Sequence, residues 1–195
     1  NAVGAGNQEG AMAYVLVHGA VCSGHPLHDV LDVANNGEVI LGGVEQFAQK
    51  LDVAFNRYRE EAVFQNLDLG VAWVPGEFNL VGFYDLRLKS VAEGLTEEEL
   101  SRLSENPWAP IDAALAQSMS IPETVEIRIL VNDEELDPPE EPDENGAIPA
   151  LIFLSSDEYI PFVVELTHPD DESFVIRLIG DGIGPIRRRM ERLDV

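Results

Sequence analysis

Lysine is almost missing from this 195-residue chain. Lys50 and Lys89 stand beside ten arginines and thirty-six acidic residues, for a formal net charge of −24. Phosphate backbones and anionic lipid surfaces are first captured by a basic patch, so this scarcity excludes nucleic acid and membrane surfaces as expected partners. Such a surface instead attracts cations or a basic protein partner, and it also keeps a protein soluble or suits it to a salty interior. Cysteine is nearly absent too. Cys22 alone cannot staple the fold, which fits a reducing compartment. No apolar run reaches the roughly 18–20 residues of a membrane span. The opening "NAVGAGNQEGA" is small and polar with no basic flank, and reads as a flexible lead-in or cloning remnant over residues 1–11. A soluble cytoplasmic protein is the expectation.

What is present is enough for a core. Hydrophobic residues make up 45% of the chain, with eight Phe, four Tyr and two Trp, which argues against disorder throughout. The clearest periodicity runs through Val44, Phe47, Ala48, Leu51, Phe55, Tyr58 and Ala62, predicting a helix over about residues 43–66. A short strand is expected at Ala13–Val17, and a short helix at Pro26–Ala34 ending on the turn signal Asn35-Asn36-Gly37. Strands at Leu69–Val74 and Phe78–Val91 flank the hairpin signal Pro75-Gly76-Glu77. Thr96 and Glu99 have capping-box spacing at the start of a helix that stops near Asn106-Pro107, and a further short helix is expected at Ile111–Met119.

Beyond this the pattern turns to strands: Val125–Val131, Ile148–Leu154, Tyr159–Leu166 and Ser173–Ile179. Their even spacing and short polar turns predict an antiparallel meander, with Val125–Val131 paired to Ile148–Leu154 across a long loop. A last helix is expected at Pro185–Leu193. No internal repeat is visible. The fold class is therefore α+β: a mainly antiparallel sheet with a C-terminal meander, packed with one long amphipathic helix and several short ones. It forms a single domain over residues 12–195, or two lobes, 12–120 and 121–195, with an acidic loop at 132–145.

The stretch Tyr14–Leu31 holds three of the four histidines and the cysteine. His18, Cys22, His25 and His28 follow at spacings of four, three and three, a donor set that suits zinc. Structural zinc sites normally draw two ligand pairs from separate segments, and His168 is the one distant histidine. The alternative is a small buried thiol among polar loop residues. Within the same stretch, "YVLVHGAVCSG" resembles the first strand and oxyanion loop of the α/β-hydrolase esterases and lyases. That family also needs a G-x-S-x-G nucleophile elbow on a parallel sheet, and no such motif occurs.

Other candidate motifs are weaker. "GDGIGP" carries Asp181 where a phosphate would sit and no lysine follows, so its glycines read as turn punctuation. The tract Asn132–Asn145 contains eight acidic residues and three prolines and lacks calcium-loop spacing. Arg187, Arg188, Arg189 and Arg192 gather four of the arginines, suited to docking on the protein's own acidic surface or on a second copy in a homo-oligomer.

Without a complete catalytic set, the composition favours a non-enzyme. The leading reading is an acidic interaction protein of the inhibitor, immunity or adaptor type that binds a basic protein partner. Its contact residues would be Trp108, held in the stiff "NPWAP" loop, and Asp133, Glu134, Glu135, Asp137, Glu140, Glu141, Asp143 and Glu144. The second reading is a metal-binding protein or small metalloenzyme using the His18-Cys22-His25-His28 cluster. The third is a divergent hydrolase.

Overall fold

The computed structural model describes residues 27–111, 118–138 and 148–194, with side chains from residue 40 onward. Its first element is a 39-residue helix, α1 (Leu27–Gln65), about 58 Å long at 1.5 Å per residue. The helix passes through Asn35-Asn36-Gly37, where a turn was expected, so the two predicted helices are one. Asn and Gly are poor helix formers. Breaking a helix there would require a second nucleation, and continuing it costs only fractions of a kcal/mol to about 1 kcal/mol per residue.

Two five-stranded antiparallel sheets follow. The first contains β1 (Leu69–Val74), β2 (Glu77–Phe83), β3 (Trp108–Pro110), β4 (Met119–Ser120) and β7 (Pro149–Phe153). Its order is β3-β2-β1-β7, with β4 also on β2. The second contains β5 (Glu126–Val131), β6 (Glu134–Glu135), β8 (Phe162–His168), β9 (Asp171–Gly180) and β10 (Arg187–Arg192), in the order β10-β9-β8-β5-β6. Two short helices, α2 (Lys89–Ala92) and α3 (Glu97–Glu105), lie between β2 and β3.

Local chemistry accounts for most boundaries. The β1–β2 hairpin turns on Pro75 and Gly76, and Gly76 supplies the positive φ of +76° that the turn needs. At α3 the Glu99 N–H donates to Thr96 Oγ1 at 3.3 Å, and the Thr96 N–H donates to Glu99 Oε2 at 2.8 Å. That is the expected reciprocal cap. Between β5 and β6, Asn132 and Asp133 both have positive φ, as a tight two-residue hairpin demands.

The expected helical stripe is the inner face of α1. Val44, Phe47, Ala48, Leu51, Phe55, Tyr58 and Ala62 are all buried, and the helix lies against strands of both sheets. One continuous apolar cluster joins α1, β1, β2, β5, β7, β8 and β9. Phe55 is at its centre, with ring centroids 6.2 Å from Phe78 and Phe162 and 6.3 Å from Phe153.

Several expected elements are corrected. β5 pairs with β6 and β8, whereas β7 crosses to the first sheet and pairs with β1, so the four-strand meander is broken after its first strand. The segment expected as a C-terminal helix is strand β10, hydrogen-bonded along β9. β2 ends at Phe83, and Lys89–Ala92 is helical. The strand expected at Ala13–Val17 and residues 112–117 of the expected helix Ile111–Met119 lie outside the described residues.

Gly180 marks how closely the second sheet's rings approach its backbone. A Cβ there would sit 2.7 Å from ring atoms of both Phe162 and Tyr159. Phe55→Ala is expected to lower unfolding free energy by about 3–5 kcal/mol in urea titrations, through lost burial and an unfilled cavity. Phe64→Ala, on an 86% exposed side chain of the same helix, is expected to change it by less than about 0.5 kcal/mol.

Candidate functional site

α1 has two distinct faces. Its inner face is fixed by polar contacts as well as by the core. Asn56 Oδ1 accepts from the Ile186 N–H at 2.8 Å, and Asn56 Nδ2 donates to the Ile186 carbonyl at 3.2 Å. The side-chain amide thus copies a strand partner and holds the chain just before β10. One turn on, Arg59 pairs with Asp157 at 3.1 Å with only 12% of its side chain exposed. Asp157 has φ +69° in the turn after β7, so the helix cation holds a strained position of the loop.

The outer face carries Gln46, Lys50, Val53, Arg57, Glu60 and Phe64, all exposed. Their spacing of three and four places them on one stripe, the geometry by which helices pack side by side. Val53 and Phe64 are eleven residues apart, close to three turns, and stand on the same side. They break the rule of polar residues outside, and the mean composition of the helix hides them.

The solvent face of the second sheet carries a ladder of alternating charge across four strands and the β6 hairpin. Glu135 pairs with Arg128 at 2.7 Å and Arg128 with Glu165 at 3.1 Å. Glu165 accepts from Arg177 Nε at 2.7 Å, and Arg177 also pairs with Glu191. Burial alone would raise the Glu165 carboxyl, but the hydrogen bonds from Arg177 and Arg128 outweigh it and leave it below the ordinary carboxylate range.

The sequence-predicted site residues do not converge. His18, Cys22 and His25 lie outside the described residues, and His28 is described only as backbone in α1. Among the described residues no group of three or more His, Cys, Asp or Glu side chains is placed to hold a metal ion. Trp108 lies half-buried in β3, its ring 5.3 Å from Phe83 and its backbone N–H donating to Asn106 Oδ1 at 3.1 Å. Asp133, Glu134, Glu135 and Asp137 lie at the edge of the other sheet, and Glu135 is engaged by Arg128. Glu140, Glu141, Asp143 and Glu144 lie outside the described residues. The described strands pair antiparallel, which does not supply the parallel sheet of an α/β-hydrolase.

Sequence reasoning missed the Asn56 clamp, the Arg59–Asp157 pair and the strand character of Arg187–Arg192. Only the outer stripe had a visible signal, since Val53 and Phe64 fall off the apolar period that identified the helix.

No family model and no curated protein matches the chain. Among solved structures, two of the minor pseudopilin EpsH from the type II secretion system of Vibrio cholerae have a related outline. They are 18% and 16% identical, with TM-scores of 0.43 and 0.46. Each match covers 77% of this chain, and 94% or 93% of the pseudopilin chain. The expected inhibitor, immunity or adaptor function and the expected cytoplasmic location differ from the secretion-system role those chains are named for, and neither is carried further. No helix among the described residues is long and apolar enough to cross a membrane.

The charge ladder generates a pH prediction. A carboxyl whose folded pKa is depressed stabilises the fold above its unfolded value and loses that contribution as pH falls through the folded one. Wild type is therefore expected to keep this contribution down to the ordinary carboxyl value of 4.5 and to lose it progressively as pH falls further. Glu165→Gln should be less stable at pH 7 and lose less on acidification, as followed by thermal unfolding at each pH.

Proposed function

We propose that this chain is a structural subunit of a protein assembly, held to neighbouring chains through α1. The supporting observation is the division of labour along that helix. Among its described side chains, those buried run from Val44 to Ala62 along one face. Its outer stripe presents Val53 and Phe64 away from the core. Both leave apolar surface in water on one side of the helix, and a neighbouring chain that covered them would bury it.

A pseudopilus component of a secretion system is the kind of subunit meant. The assembly role rests on α1 itself; the kind of subunit is taken from what the EpsH chains are named for. The neighbours meant are other protein chains, since two copies of a chain with net charge −24 repel one another.

The test is site-specific photo-crosslinking of the full chain in its own host, with the probe at position 53, 64 or 97. Adducts of defined mass are expected from the two α1 positions and not from Glu97, which is exposed on α3. Equal labelling at all three, or none at 53 and 64, would overturn the reading. Val53→Glu with Phe64→Glu should reduce assembly at least tenfold by sedimentation velocity, with the monomer's melting temperature within about 3 °C of wild type.

A further inference from the structure

β10 is an edge strand with an unusual character in a chain of net charge −24. Among the described residues it pairs with β9 alone, and all six of its residues are exposed. Four of them are arginines. Arg187 is matched by Asp181 at 2.8 Å, and Arg188 reaches only the Glu45 backbone carbonyl at 3.3 Å. Arg189 and Arg192 have no carboxylate partner among the described residues, although acidic groups are three times as common as basic ones in the chain.

The backbone of this strand is also available. The Leu193 N–H donates to the Ser173 carbonyl at 2.7 Å, continuing the register that pairs Arg187 with Ile179 and Arg189 with Arg177. In an antiparallel ladder alternate residues turn their N–H and C=O to the same neighbour. Residues 187, 189 and 191 therefore bond to β9, while Arg188, Met190 and Arg192 direct theirs outward. Folded proteins usually cover or blunt such an edge. Here it is fixed by the Asn56 clamp on Ile186 at its start, and it displays guanidinium groups on both sides of the sheet.

We infer that β10 is a docking edge that accepts an extended acidic segment of a different protein chain as a sixth strand of the second sheet. The outward N–H and C=O groups of Arg188, Met190 and Arg192 would supply the ladder, and Arg188, Arg189 and Arg192 would select for carboxylates. Charge favours a different chain over a second copy. Two copies would each bring −24, and their long-range repulsion opposes the approach. The edge of β10 is a surface distinct from the outer stripe of α1, although Arg188 reaches the Glu45 carbonyl of that helix, and the inference does not rest on the proposed assembly role.

The probe is a capped eight-residue peptide alternating glutamate and valine, with a lysine-valine peptide as control. Binding is followed by NMR on the full chain together with amide exchange. The acidic peptide should slow exchange at the Arg188, Met190 and Arg192 amides at least tenfold, and the lysine peptide should not. Arg189→Glu with Arg192→Glu should weaken binding at least tenfold. Met190→Pro removes an outward N–H that the β9 ladder does not use, and should abolish binding if it folds. Should that variant not fold, the exchange measurement on the unaltered chain decides alone.

Absence of protection at those three amides, or equal binding of the lysine peptide, would overturn the inference. Tighter binding of a peptide copying residues 132–145 of this chain than of the glutamate-valine peptide would overturn the assignment to a different chain.

Discussion

The fold depends on one aromatic junction. Phe55 projects from the C-terminal half of α1 onto Phe78 and Phe153 of the first sheet and Phe162 of the second. The contacts with Phe78 and Phe162 are edge-on, at 81°, the arrangement that ring quadrupoles favour. Neither sheet can bury its apolar face unaided, because each needs a second layer. The helix provides that layer to both at once, and Phe55 is where the two contacts coincide. The tightness of the Phe162 and Tyr159 rings around Gly180 follows from the same convergence.

Around this junction, polar contacts determine direction where apolar burial fixes only proximity. A helix resting on two sheets could slide along its axis at little cost in buried area. The two hydrogen bonds between Asn56 and Ile186 oppose that motion, and so does the Arg59–Asp157 pair. On the opposite side, the alternating ladder from Glu135 to Glu191 ties five strands in register. Exposed ion pairs contribute little singly, but a connected series matches charge across successive strands. Much of the acidity near these arginines is therefore structural, and the bare net charge conceals it.

The α+β class, the α1 core stripe, the β1–β2 hairpin and the α3 cap were legible because each has a local cause: helical period, a Pro-Gly turn, a Thr/Glu pair. What was not legible depends on distant partners. Arg187–Arg192 has good helix formers, and nothing nearby reveals that β9 offers it a ladder or that Asn56 grips Ile186. Ile148–Leu154 follows Val125–Val131 in sequence, yet its partner is β1. Of the expected site residues, Trp108 and the acidic group from Asp133 to Asp137 fall on different sheets. Adjacent carboxylates could not show which were engaged by arginines. The exposed stripe on α1 was readable only as departures from the apolar period, which become informative once the inner face is known.

The crossing of β7 also bears on the order in which the protein is made. Its Phe153 pairs with Leu69, roughly eighty residues earlier, and the strands of the other sheet begin in between. A chain emerging from the ribosome must therefore hold the apolar β1 edge open until β7 is synthesised. Closing that loop is a non-local step of the kind that slows folding and leaves an unpaired edge exposed to the wrong neighbour. The first sheet is begun first but cannot be finished until after β5 and β6 have been made, so the two sheets mature together.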